Sequence, residues 1–277
     1  MHPEVSIYAA PRHVWPRTSC CRTSSQMFKD YNANQRMDAV TDERPYKLAN
    51  KLIAEFLGDL IFVFIGSSQA LAQGGILNAA IAHGFAIFIL VSSLAHISGG
   101  HFNPAVTLSV ALCGKMKAVH AVFYMMAQLF GGFCGSLLVR AMTSETQFHA
   151  IDGGTTTVGN AFMWYQGLIA EVMMTFLLTQ TVVLTAVDTC SNTLAPFAIG
   201  SALVIDILAV GTVSGASMNP ARSFGPALAA SMFGIGEPLE FIWRNHYIYW
   251  AGPFIGAVIT ALLYKSVFAR EGNRLLQ

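Results

Sequence analysis

Two Asn-Pro-Ala triplets, Asn103-Pro104-Ala105 and Asn219-Pro220-Ala221, hold the residues of this chain best placed to do chemistry. An asparagine amide offers two N–H donors and one acceptor oxygen. Proline next to it suits the first turn of a helix, where its missing N–H would have no partner anyway. Each triplet opens a short apolar stretch, about 102–113 and 219–232, and so reads as the start of a helix. A helix start carries roughly half a positive charge and several unpaired N–H groups. The chemistry implied is hydrogen-bond donation in a fixed positive field. Arg222, directly after the second triplet, adds a cation. A single Asn-Pro is usually no more than a helix N-cap, but two in register ask for another explanation.

The register extends well beyond the triplets. Ala54-Glu55 recurs as Ala170-Glu171, Ser98-Gly99 as Ser214-Gly215, and Ala111-Leu112 as Ala227-Leu228, each pair 116 positions apart, as are the two asparagines. An isolated carboxylate in an apolar stretch is costly unless paired or hydrogen-bonded. The loops before the short helices offer free backbone N–H groups, so Glu55 and Glu171 read as braces for those loops.

The elements that must position these residues are membrane helices. Of 277 residues, 54% are hydrophobic and 11% charged, against about 25% charged in a soluble domain. Apolar stretches at about 50–71, 77–97, 118–141, 163–187, 195–213 and 246–268 approach the roughly 20 residues needed to cross a bilayer. The two triplet stretches are too short to cross. Non-helical backbone at membrane depth is tolerated only where it is buried in protein or lines a wet cavity, so two such entries predict a pore or a binding site. Three spans precede the second half, an odd number, so the halves are inverted. Inverted repeats place their site at the midplane, where broken helices meet. The expected fold is all-α: six transmembrane helices plus two re-entrant half-helices.

The expected organisation is a disordered tail over 1–47, a membrane domain over 48–268 with repeats at about 48–141 and 162–268, and a short tail over 269–277. Thirteen of the sixteen Lys and Arg fall on the side shared by the termini. By the positive-inside rule both tails are then cytoplasmic. The Asn103 loop enters from inside and the Asn219 loop from outside. Arg12 to Lys29 lacks acidic residues and faintly suggests a transit peptide, a reading that Glu4 and the broken hydrophobic pattern weaken. A net charge of +1 gives no reason to expect a nucleic-acid partner. The five cysteines (Cys20, Cys21, Cys113, Cys134 and Cys190) fit no zinc or redox spacing.

The stretches from Ser98 through Val106 and from Ser214 through Pro226 resemble the paired signature loops of the aquaporin, or major intrinsic protein, family. The resemblance covers about 50–268. It is nearest to the aquaporin-8-like branch, on Ala80-Ile81-Ala82-His83-Gly84, Ile205-Asp206-Ile207-Leu208-Ala209 and Met218, with plant tonoplast aquaporins next. It implies a passive pore in which water accepts hydrogen bonds from Asn103 and Asn219 while the positive midplane repels protons and ions. It further implies an outer selectivity filter of His83, Ile207, Ala216 and Arg222. Read alone, His83 is equally an interhelical histidine with satisfied partners. Ile207 and Ala216 leave that filter wide, which favours ammonia and hydrogen peroxide beside water.

Glycerol is disfavoured, because Ser223 stands where glycerol-conducting relatives have Asp, Tyr249-Trp250 where they have Pro-Leu, and Ala227 matches water-type members. Ser217 replaces a filter-adjacent cysteine of the branch, which predicts weak block by mercurials. Asp206 suits the branch, whereas Asp59 departs from the small or hydroxyl residue expected there. The family also implies a homotetramer in a lipid bilayer, the plasma membrane first, an intracellular or mitochondrial inner membrane next, and no metal or cofactor.

Gly131-x-x-x-Gly135 and Gly252-x-x-x-Gly256 predict close helix packing within one subunit. The alternatives are a strict water channel and, from a different class, a secondary transporter of a small solute, which also uses inverted repeats. An enzyme is disfavoured: Gly58-Asp59 lacks the Gly-x-Gly-Asp context of an intramembrane aspartyl protease, and His96 and His101 have no third ligand nearby.

Overall fold

The structure, a computed structural model, describes residues 45–189 and 192–269. The tail expectations for 1–44 and 270–277, and Cys20, Cys21 and Cys190, lie outside the described residues. Among the described residues every regular element is helical. The long helices are α1 (Leu48–Ser68), α2 (Gly75–Ser98), α4 (Ala118–Met142), α5 (Trp164–Val182), α6 (Ala195–Ser214) and α8 (Ile248–Leu263). Two short ones, α3 (Pro104–Leu112) and α7 (Pro220–Phe233), follow the Asn-Pro-Ala sites.

Five segments are long and apolar enough to cross a membrane: Gly75–Ser98, Ala118–Met142, Trp164–Val187, Ala195–Ser214 and Leu239–Phe268. α1 has 21 residues but carries Lys51, Glu55 and Asp59, which lower its hydropathy. It holds its place through packing: α1 lies against α4 as α5 lies against α8. Each half-helix packs on the last long helix of the other half, α7 on α4 and α3 on α8, so the halves interlock.

Burial is arranged for lipid. Ile53, Phe85, Phe130, Ile169 and Leu262 are exposed, whereas Glu55, Gln128, Glu171, Thr175 and Thr179 are buried. Hydrocarbon cannot satisfy polar groups, so they turn inward.

The helix pairs touch through glycine. A Cβ on Gly131 would strike the carbonyl of Phe56, and one on Gly135 the carbonyl of Leu60. In the other half, a Cβ on Gly256 would lie 2.7 Å from the carbonyl oxygen of Val172. The obstructing atoms are backbone and have no room to give way. Gly135→Leu should therefore destabilise the protein by about 2 kcal/mol or prevent folding, read as a lower thermal-unfolding midpoint in detergent. Leu57→Val, on the exposed face of α1, should leave that midpoint nearly unchanged.

Candidate functional site

The two half-helices meet head to head through their asparagines. Asn103 Nδ2 donates to the carbonyl of Met218 at 2.8 Å, and Asn219 Nδ2 donates to the carbonyl of Phe102 at 2.8 Å. Each asparagine also caps its own helix. Asn103 Oδ1 accepts from Ala105 N–H at 2.7 Å, and Asn219 Oδ1 from Ala221 N–H at 2.9 Å and Arg222 N–H at 3.3 Å. N-cap acceptor and donor to the opposite loop are thus two ends of one amide.

The loops that deliver the asparagines are bent into unfavourable backbone. Phe102 (φ 45°), Ala216 (φ 45°) and Met218 (φ 54°) occupy the left-handed region, beside Gly99, Gly100 and Gly215. Non-glycine residues there cost about 1–3 kcal/mol each and persist only where the surroundings over-determine them. The glutamates do this. Glu55 accepts from His101 N–H (3.0 Å), Phe102 N–H (2.7 Å), Ser98 Oγ (2.6 Å) and Gln128 Nε2 (2.8 Å). Glu171 accepts from Ser217 N–H (2.9 Å), Met218 N–H (2.7 Å) and Ser214 Oγ (2.7 Å). Tyrosine hydroxyls complete the pattern, with Tyr124 donating to Ser98 O and Tyr249 to Ser214 O. Gly58 leaves space for the ring of Phe102, which a Cβ there would strike.

The four residues singled out as a filter are all buried, Ile207 and Ala216 at 3% exposure, His83 at 4% and Arg222 at 9%. Arg222 Nη1 donates to the Gly154 carbonyl at 2.9 Å. His83 Nδ1 lies 2.8 Å from the Ala79 carbonyl, its Nε2 has no partner, and its ring meets Phe62 edge-on at 5.5 Å. Gly66 is required beside it, since a Cβ there would strike Nε2.

A narrow cavity with a solvent volume of about 20 Å3 touches Phe62, His101, Asn103, Ser217 and Asn219, enough for a water or two. A wider cavity of about 350 Å3 lies on the Arg222 side, lined by Thr156, Thr157, Asn160, Glu237, Arg244 and Tyr249 among others. In the adjoining loop, burial first and Glu237 second push the Asp152 carboxyl above its ordinary range.

Sequence reasoning missed several partners. The Gly154, Phe102 and Met218 carbonyls are backbone acceptors, which carry no side-chain signal. Gly153-Gly154 was visible as a pair, and both glycines have positive φ. The hydroxyl chain Thr156–Ser223–Ser217, at 2.6 and 2.5 Å, was not anticipated. His101 Nδ1 lies 3.1 Å from Thr107 Oγ1, while His96 lies against the Tyr46 ring. Among the described residues no group of three His, Cys, Asp or Glu is placed to hold a metal. Asp206 is fully buried with both oxygens unpartnered, and nothing in the structure explains it.

Two inverted halves, interlocked through broken helices whose asparagines meet beside a narrow, mostly apolar cavity, define a polytopic membrane protein. The sequence profile of the major intrinsic protein family matches residues 43–264, and the chain belongs to that family, whose members are channels for water and small solutes. It is 38% identical to Aquaporin-8 of Rattus norvegicus over 229 residues, covering 81% of this chain and 83% of that protein. It is 41% identical to Aquaporin TIP1-2 of Musa acuminata over 236 residues, covering 80% and 87%. The fold is similar to the X-ray structure of the aquaglyceroporin from Plasmodium falciparum, with TM-score 0.67 and 23% identity over 80% of this chain and 98% of that one.

Removing Glu55 leaves three buried N–H donors and a serine hydroxyl without their acceptor. Glu55→Ala should therefore cost about 3–5 kcal/mol or abolish folding. Glu55→Gln, which keeps one acceptor oxygen, should unfold between that variant and wild type in the same detergent melt.

Proposed function

We propose that this protein is a passive channel for water, ammonia and hydrogen peroxide that excludes protons, ions and glycerol. The observation that carries this reading is the reciprocal bonding of Asn103 and Asn219 beside a cavity of about 20 Å3, room for a water or two. Each amide nitrogen has two N–H groups and gives one to the opposite loop. The second N–H of Asn103 meets no protein acceptor, which leaves it for solute in the cavity.

Both half-helix N-termini converge there, so their partial positive charges add. As a general rule for aquaporin-type pores, selectivity follows from diameter, lining donors and such positive ends. A water whose oxygen accepts from the midplane turns its own hydrogens away, which breaks the donor–acceptor chain a proton needs. Arg222 adds a second cationic barrier.

The proposed filter is His83, Ile207, Ala216 and Arg222, with Asn103, Pro104, Ala105, Asn219, Pro220 and Ala221 at the midplane and Glu55 and Glu171 bracing the loops. With two apolar members, such a filter gives small neutral solutes little to bind. We place both termini in the cytoplasm and the protein in the plasma membrane as a homotetramer with one pore per subunit. The tails over 1–47 and 269–277 lie outside the channel domain in this reading.

Purified protein in liposomes should raise water, ammonia and peroxide permeability above the lipid background by stopped-flow, with glycerol at background. Ammonia rates equal to those of empty liposomes would remove ammonia from the set. Flux that saturates and follows an ion gradient would select the transporter alternative.

Ser217 lines the narrow cavity, so mercury sensitivity should depend on a thiol at that position. Wild type should keep most of its water flux in mercuric chloride that blocks Ser217→Cys. Full block of wild type would contradict this.

A further inference from the structure

Asp59 is fully buried in α1, one turn beyond Glu55. Its Oδ1 lies 3.4 Å from Asn219 Nδ2, long for an N–H···O bond, and its Oδ2 has no partner. A carboxyl serving as a loop brace gathers backbone N–H groups, as Glu55 and Glu171 do. Asp59 gathers none. Its polar contact is the central amide.

The other half of the molecule supplies an internal control. The residue 116 positions on is Thr175, whose buried Oγ1 has no partner. Correspondingly, the Asn103 amide nitrogen donates to Met218 O and to no side chain. Asn219 gives one N–H to Phe102 O and turns the other toward Asp59. The two midplane amides are therefore unequal, with one N–H free on Asn103 and the matching N–H on Asn219 engaged. Ionised or protonated, the carboxyl keeps an acceptor oxygen, so the contact survives in either state.

The inequality sorts solutes by lone pairs. A water oxygen has two and accepts from both asparagines when both are free. An ammonia nitrogen has one and accepts from a single donor. Engaging one amide removes half of water's midplane hydrogen bonding and none of ammonia's.

We propose that Asp59 is a positioning residue which, through Asn219, shifts the channel's preference from water toward ammonia. This rests on the reading of the protein as a channel for both.

The test measures water permeability and ammonia permeability per reconstituted channel for wild type, Asp59→Thr and Asp59→Asn. Threonine reproduces the other half, so Asp59→Thr should raise water permeability about threefold, the worth of one weak hydrogen bond. Its ammonia permeability should stay near wild type, so the ammonia-to-water ratio falls by the same factor. Asp59→Asn keeps a side-chain oxygen of the same reach and should behave as wild type.

An unchanged ratio in Asp59→Thr that elutes and melts like wild type overturns the proposal. Asp59→Asn matching Asp59→Thr also overturns it, because the effect would then lie in charge. If Asp59→Thr does not fold, Asp59→Ser is read by the same criteria. Should wild type pass no ammonia above lipid, the ammonia reading falls, and the water measurement alone decides whether Asp59 engages Asn219.

Discussion

Hydrocarbon offers no hydrogen bonds, so every peptide group at membrane depth must find its partner within the protein. Six long helices meet that condition by themselves. Two helices that begin halfway across do not, because their first N–H groups and the loops leading to them are left open. Much of the interior answers to that deficit. Asn103 and Asn219 cap their own helices and tie the opposite loops. Glu55 and Glu171 take the loop N–H groups, and Tyr124 and Tyr249 take the carbonyls of Ser98 and Ser214.

The same deficit explains the packing. A buried glutamate reaches a loop only if its helix lies close, and closeness needs glycine at the crossings, as at Gly131, Gly135, Gly252 and Gly256. A Cβ on Gly252 would lie 2.5 Å from the Cβ of Glu171, so this glycine sets the depth of the carboxylate itself. Strained backbone at Phe102, Ala216 and Met218 is held by bonds that exist only in the folded, interlocked state. Structure and site are one network here: the groups that stabilise the broken helices also hold the two amides beside the narrow cavity.

How far this was legible in the sequence depends on whether a residue's identity carried the signal. The glutamates and asparagines stood out because polar side chains in apolar stretches need a reason, and the repeat at 116 supplied one. The length of the apolar stretch marked the first span despite the three charged residues of α1. Element ends were less exact. The first span reads as 50–71, whereas α1 stops at Ser68 and a tighter turn carries on from Gln69 to Ala72. The last reads as 246–268, whereas α8 stops at Leu263 and a wider turn runs from Tyr264 to Phe268. Composition does not distinguish such turns from helix. Gly154 as the partner of Arg222 was hidden because its carbonyl looks like any other. Asp59 was visible only as a misfit, since its partner lies 160 residues away.

Everything above turns on whether the half-helices abut in the membrane and leave a wet path beside their asparagines. An experimental density map of the protein in lipid nanodiscs, at a resolution that shows ordered water, tests it most directly. The expected map shows a single file of solvent running past Asn219 and Asn103 to Arg222, with one water within hydrogen-bonding distance of Asn103 Nδ2. A passage closed by packed side chains, or asparagines lying apart with solvent at neither, would contradict it.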